Sequence, residues 1–205
     1  FTKGFGLGGC YEENIVRILA QYCADLAVSE FEQLDHVLDL TTSPEDYLRI
    51  VRGKTAGPFG AGCYAAGLVA GLSDERAYSL KQFGMELGIA FQLVDDLLDL
   101  RGDERMGKPR GADVIEGKMT LPLIHALTLS HGKQRVRLAE LIEDFSDEDF
   151  DELMDLLNRS DSLKYTEILV KTHLERAVTN LNAFVDSDAK KHMVSITDYV
   201  MNRHM

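Results

Sequence analysis

The stretch Gly88-Ile89-Ala90-Phe91-Gln92-Leu93-Val94-Asp95-Asp96-Leu97-Leu98-Asp99 sets three carboxylates inside an apolar run. Left unpaired in such surroundings, each charge would cost several kcal/mol. At helical pitch Asp95 and Asp99 share a face, Asp96 lies about 100° round, and Gln92 stands one turn earlier. Leu100 and the apolar residues of the run imply a largely enclosed helix, so a multivalent cation is the natural partner of charges that otherwise repel. Oxygen-only ligands favour a hard ion, Mg²⁺ first, with Asp95, Asp96 and Asp99 as the expected metal ligands. Mg²⁺ keeps waters and commonly completes its octahedron with substrate phosphate. The plainer reading is an exposed acidic helix end, and the flanking sequence decides between the two.

Arg101, Arg105, Lys108, Arg110 and Lys118 fall within eighteen positions, punctuated by Gly102, Gly107, Gly111, Gly117, Pro109 and Pro122. Glycine and proline at this density make a loop in which backbone approaches closely, able to carry lysines toward an anion. Gly117-Lys118 is not a P-loop: Ala112 stands where that motif needs glycine, and Met119 where it needs Ser or Thr.

The ordered set FQLVDDLLD, GKPRGAD and EGKMTLP resembles the second aspartate-rich region of the trans-isoprenyl diphosphate synthases, the polyprenyl synthetase family. Lys54-Thr55-Ala56, with Phe59, Cys63 and Gly67 after it, is similar to the family's Lys-Thr element. Ser29-Glu30-Phe31-Glu32-Gln33 resembles its Gly-Glu-x-x-Gln segment with serine for glycine, and Asp198 to Arg203 its tail. The likeness runs from about residue 1 to the C-terminus. It implies an all-α, single-domain bundle of long helices around a central cleft, the isoprenoid synthase type I fold. It also implies condensation of isopentenyl diphosphate with an allylic diphosphate, Mg²⁺-assisted, to a longer all-trans polyprenyl diphosphate, and a homodimer. The phrases GKPRGAD and EGKMTLPLIHAL resemble the long-chain quinone-side-chain synthases. By the same resemblance Lys54, Thr55, Gln92, Asp95, Asp96 and Asp99 are catalytic. Lys54, Thr55, Gln92, Lys108, Asp113 and Lys118 bind substrate, and Arg203 contributes from the tail.

Family members carry a first aspartate-rich motif upstream, yet no DDxxD-like run occurs before Asp95 and the chain opens at Phe1. Residues 1–205 are therefore expected to be the C-terminal part of a polyprenyl synthetase domain, with N-terminal helices absent and no activity alone. Two other classes are weighed: a non-catalytic subunit of a heteromeric prenyl synthase, and a class I terpene cyclase. The intact FQxxDDxxD argues against the first and the paired glycine-lysine loop against the second.

A hydrophobic content of 45% over 205 residues suits one folded domain. The net charge of −12 excludes nucleic acid as a partner, because a basic face is needed for counterion release. It does not exclude a focused cationic cleft. Cys10, Cys23 and Cys63 are scattered and odd in number, which favours a reducing compartment, taken as the cytoplasm. The apolar run Gly60 to Leu72 is too short and too glycine-rich to span a membrane. The six histidines show no zinc-ligand spacing.

The hydrophobic period is helical throughout. A helix is expected from Glu12 through Leu38, a second begun by Ser43 as N-cap with Pro44 in its first turn, and a run of small residues from Gly60 to Gly71. A long helix follows from Ala77 to Leu100, its Gly84 and Gly88 marking a close crossing. Further helices are expected over Leu121–Leu129, Leu138–Phe145, Phe150–Leu157 (entered through a Ser146–Asp149 capping box), Leu163–Val185 and Lys190–Met201.

Overall fold

The computed structural model describes residues 9–102 and 110–203, which are helical with no strand among them. The helices are α1 (Glu13–Asp35), α2 (Pro44–Val51), α3 (Gly57–Val69), α4 (Asp74–Arg101), α5 (Ala112–Ile115), α6 (Leu121–Leu129), α7 (Gly132–Glu143), α8 (Phe150–Arg159), α9 (Ser162–Asn180) and α10 (Asp188–Asn202).

α4 is the axis, packed along one side by α3 and along another by α9. Its Phe83, Leu87, Ile89, Ala90, Leu93, Val94, Leu97 and Leu100 are buried, each large side chain contributing roughly 1.5–3 kcal/mol by leaving water. The α3–α4 crossing depends on glycine. A Cβ on Gly84 would stand 2.5 Å from the Phe59 carbonyl oxygen, and one on Gly88 2.6 Å from Ala56 Cα. The two backbones are therefore in direct contact, as the spacing of these glycines predicts.

Local chemistry sets most helix starts. The Ser43 hydroxyl accepts from the Asp46 N–H at 3.1 Å while the Asp46 carboxylate accepts from the Ser43 N–H at 3.1 Å, a reciprocal cap before Pro44. Ser146 donates to the Asp149 carboxylate through its N–H (3.2 Å) and hydroxyl (2.6 Å). Several elements differ from expectation, among them the end of α1 at Asp35 rather than Leu38. α4 begins at Asp74, one turn early. The predicted Leu138–Phe145 helix falls on the second half of α7, which starts at Gly132 and ends at Glu143. α9 ends at Asn180 and closes in a tight turn over Leu181–Ala183. The glycine-rich loop contains the single turn α5, admitted by Gly111 at φ +71° and tied back by its N–H to the Asp99 carbonyl at 2.9 Å.

Between α2 and α3 the chain widens into one π-helical turn, Arg52–Ala56, with the Gly57 N–H reaching back to the Arg52 carbonyl. Pro58 is the cause. It has no N–H for the Lys54 carbonyl, and its ring would press on that oxygen in a regular helix. The opened turn presents Lys54 and Thr55 beside α4. Gly53 lets it lie against α1, since a Cβ there would overlap the Ser29 hydroxyl at 1.9 Å.

Candidate active site

One cavity of about 190 Å³ gathers Gln33, Lys54, Thr55, Gln92, Asp95, Asp96, Asp113 and Lys118, with Tyr47, His36, Thr42 and Thr120. It lies at the C-terminal half of α4, floored by α2 and the widened turn and flanked by the α1 end and the segment after α5. The backbone that shapes this flank is joined by the Leu38 N–H donating to the Gly117 carbonyl at 2.9 Å, both residues at positive φ.

The three aspartates of α4 occupy different environments. Asp95 is exposed, Asp99 half-buried and Asp96 only 2% exposed. Asp96 faces inward, where Tyr47 donates its hydroxyl to Oδ2 at 2.5 Å and the Gln92 amide nitrogen donates to Oδ1 at 2.9 Å. Both of its oxygens are thus engaged. The expected ligand set Asp95, Asp96 and Asp99 is thus divided, with Asp96 on the buried face beside Leu93, Leu97 and Leu100. Among the described residues no three carboxylate, imidazole or thiol groups are gathered as a metal cage. Burial raises the Asp96 carboxyl to about 7, the hydrogen bonds from Tyr47 and Gln92 opposing and Asp113 and Asp95 adding to the rise. Burial also lifts Asp99 to about 6, although the Asp113 N–H donates to its Oδ2 at 3.1 Å. Asp99 thereby caps α5.

Thr55 donates its hydroxyl to Gln92 Oε1 at 2.9 Å, so a continuous chain runs Thr55, Gln92, Asp96, Tyr47. Lys54 reaches across to α1, with Nζ 2.6 Å from Gln33 Oε1 and 3.1 Å from a Glu30 carboxylate oxygen. Lys118 is held by Asp113 at 2.8 Å and Glu116 at 2.6 Å. Burial lowers the Lys118 ammonium, but the two carboxylates outweigh it and raise the group. Lys108 lies outside the described residues. Arg203 is stacked over the Phe91 ring at 5.0 Å. The buried Thr120 hydroxyl has no hydrogen-bonding partner among the described residues.

Sequence reasoning named Lys54, Thr55, Gln92, Asp95, Asp96, Asp113 and Lys118, and the fold brings them together; Asp99 caps α5 at the edge. It gave no role to Tyr47, His36, Thr42 or Thr120. Tyr47 had one readable signal: it is the lone polar-tipped residue among the apolar positions of α2, and such a buried hydroxyl needs a partner.

Residues 6–158 match the family described as Polyprenyl synthetase. The chain belongs to the polyprenyl synthetase family. Among curated relatives of this polyprenyl synthetase chain, an octaprenyl diphosphate synthase of Haemophilus influenzae is 34% identical over 207 residues, covering all of this chain and 63% of its own length. A decaprenyl diphosphate synthase of Rhodobacter capsulatus superposes with a TM-score of 0.89 at 33% identity, over 95% of this chain and 61% of the other. A polyprenyl synthase of Caulobacter crescentus, solved with calcium and isoprenyl diphosphate, gives 0.88 at 31%, over 95% and 60%. The chain thus spans about three-fifths of the length of these relatives. Among the described residues no helix is long and apolar enough to cross a membrane.

Proposed function

We propose that this cleft ionises an allylic diphosphate and joins the resulting cation to isopentenyl diphosphate, extending an all-trans polyprenyl chain. The observation that carries the reading is the convergence, in a polyprenyl synthetase fold, of Thr55, Gln92, Asp95, Lys54 and Lys118 on one cavity. The all-oxygen donor set fits a hard divalent ion. Asp95 and Asp99 would hold Mg²⁺, with Asp96 behind them. When bound, Mg²⁺ supplies charge neutralisation for a departing diphosphate.

Lys54 and Lys118 offer point-charge donors to the diphosphate oxygens, and Lys108 is assigned to the same task from the resemblance. Asp113 steers Lys118, and Gln92 steers Thr55. As the allylic C–O bond breaks, diphosphate takes the electron pair. The double bond of isopentenyl diphosphate then forms the new C–C bond, and the adjacent C–H gives its proton to an oxygen of the released diphosphate while its electron pair forms the new double bond. The Thr55 hydroxyl oxygen, a fixed dipole in place before reaction, favours the transient positive charge. Further parts of this reading are a long-chain product, supported by the resemblance of GKPRGAD and EGKMTLPLIHAL, a homodimer, supported by the family resemblance, and a cytoplasmic location, supported by the scattered, odd-numbered cysteines. Membership in the polyprenyl synthetase family favours chain elongation over terpene cyclisation.

The test is turnover of the full-length protein with Mg²⁺, labelled isopentenyl diphosphate and an allylic diphosphate, products being resolved by chain length. Label should enter extended prenyl diphosphates, and Asp95→Ala should lower the rate by orders of magnitude with the melting temperature held. Label that never enters a prenyl product, or an Asp95→Ala enzyme at wild-type rate, refutes the assignment.

A further inference from the structure

We infer that Tyr47, Asp96 and Gln92 form a polarised hydrogen-bond relay that fixes the direction of the Thr55 hydroxyl, which makes Tyr47 a positioning residue for prenyl transfer. The inference rests on the reading of the cleft given above. Asp96 accepts from the Tyr47 hydroxyl on Oδ2 at 2.5 Å and from the Gln92 amide nitrogen on Oδ1 at 2.9 Å. That arrangement orients the Gln92 amide, leaving Oε1 for Thr55. The Thr55 hydrogen is then spent on Gln92, and the lone pairs of its oxygen are left for the cavity that Thr55 lines. Gln92 and Thr55 therefore each turn their oxygen toward the cavity side, while Tyr47 anchors Asp96 from behind. Without Tyr47, Asp96 loses one of its two anchors and the amide of Gln92 is no longer fixed from one side.

The geometry is costly enough to need an explanation. Tyr47 and Asp96 are 6% and 2% exposed, and a leucine pair would fill the α2–α4 contact without burying a charge. Their partnership spans 49 residues of sequence, joining the helix that leads into the Lys54–Thr55 turn to the helix that carries the aspartates.

The relay makes different predictions from a metal-ligand role for Asp96 and from a purely structural role for Tyr47. In Asp96→Asn the Tyr47 hydroxyl can still donate to the amide oxygen, and the new NH₂ faces Gln92. Gln92 must then turn its carbonyl to residue 96 and its NH₂ to Thr55, whose hydrogen swings away. The dipole is reversed while the packing is kept.

The experiment is steady-state kinetics on the full-length protein, with Mg²⁺ titrations and thermal melts, for Tyr47→Phe, Asp96→Asn, Thr55→Val and Tyr47→Phe/Thr55→Val. Tyr47→Phe should lower kcat roughly tenfold, the loss expected for a hydrogen bond to a charged group, with both KM values within about twofold. Asp96→Asn should lower kcat about a hundredfold with an unchanged Mg²⁺ half-saturation point. The double variant should be no slower than Thr55→Val alone, because the two act through one chain. Wild-type kcat in Tyr47→Phe, losses that multiply in the double variant, or an Asp96→Asn defect cured by excess Mg²⁺ each overturn the relay. Should Tyr47→Phe not fold, Asp96→Asn and its Mg²⁺ titration decide. A wild-type protein without turnover overturns the cleft reading and the relay with it, whereas an Asp95→Ala loss beside an unaffected Tyr47→Phe overturns the relay alone.

Discussion

Gly88→Ala separates helix propensity from helix contact, and the two have opposite signs. In an exposed helix interior the change stabilises by up to about 1 kcal/mol, because alanine restricts the unfolded chain and costs nothing in the helix. At position 88 the new methyl would stand 2.6 Å from Ala56 Cα, 3.1 Å from its Cβ and 3.3 Å from its N. Carbon atoms rest at roughly 3.5–4.0 Å, so the Arg52–Ala56 turn and α4 must part by about 1 Å. The obstructing atoms include backbone, so no side-chain rotation relieves the clash, and the upper end of the usual overpacking penalty, about 3 kcal/mol, applies. The net is about 2 kcal/mol of destabilisation, a fall of roughly 4–8 °C in melting temperature for a chain of this size. Ala56 adjoins Thr55, so the same displacement pulls Thr55 from Gln92, and a misplacement of about 1 Å can cost on the order of a hundredfold in rate. Gly62 is the control: it lies inside α3 with nothing within 4 Å of its would-be Cβ, so Gly62→Ala should raise the melting temperature slightly and leave kcat alone. Thermal melts and kcat for both variants check this. A Gly88→Ala protein that melts at or above the wild-type temperature would refute the backbone-on-backbone crossing.

Two further outcomes follow from buried charge. Asp96→Asn, measured in chelator, should gain stability over wild type as pH rises. The folded-state carboxyl is raised to about 7 from 3.8, so between these values the native state holds a proton that the unfolded chain has lost, and wild-type stability falls with rising pH. The difference between the two proteins should open from about pH 4, level off above pH 7, and approach roughly 4 kcal/mol; denaturant titrations at pH 4 and pH 8 giving equal differences would contradict it. Glu86 on α4 and His173 on α9 form a second enclosed contact, Nδ1 to Oε2 at 2.6 Å, with side-chain exposures of 19% and 5%. Glu86→Ala leaves the buried imidazole without its acceptor and should cost about 2 kcal/mol, while Glu86→Gln, which still accepts, should cost less. Chemical denaturation of both variants measures this.

How far the sequence could be read depends on the range of the physics involved. Helix type, the Ser43 and Ser146 caps and the Gly84–Gly88 crossing are local, set by neighbours within a turn or two, and they are legible. The acid cluster and the turn of Asp96 away from Asp95 and Asp99 are legible, although the reading gives all three a metal-ligand role. The pattern Leu93, Leu97, Leu100 already places Asp96 on the buried stripe, and a polar group there announces a distant partner without naming it. That partner, Tyr47, is fixed only when α2 packs on α4. Lys54 with Glu30 and Gln33, 24 and 21 positions away, is illegible for the same reason, since two resemblance-bearing segments meet only in three dimensions. The end of α9 at Asn180 was missed because Leu181 and Phe184 continue its apolar period while the chain turns.

A chain of net charge −12 that binds a polyanion must hold its cations against its own carboxylates. Lys54 is engaged by Glu30 and Gln33, and Lys118 by Asp113 and Glu116. Under the proposed function, a diphosphate entering the cavity competes with these carboxylates for the lysines. The exchange is favourable if each carboxylate that loses its lysine regains water or another cation. Glu30 and Glu116 lie at the exposed rim, where releasing a lysine costs little. Asp113, only 18% exposed, keeps Lys118 close and sets its direction. Lys54 and Lys118 are thus held in place before substrate arrives, their ordering entropy already spent in folding, and acidity at the rim becomes compatible with anion binding at the centre. By this argument, removing Glu116 should tighten diphosphate binding and removing Asp113 should weaken it.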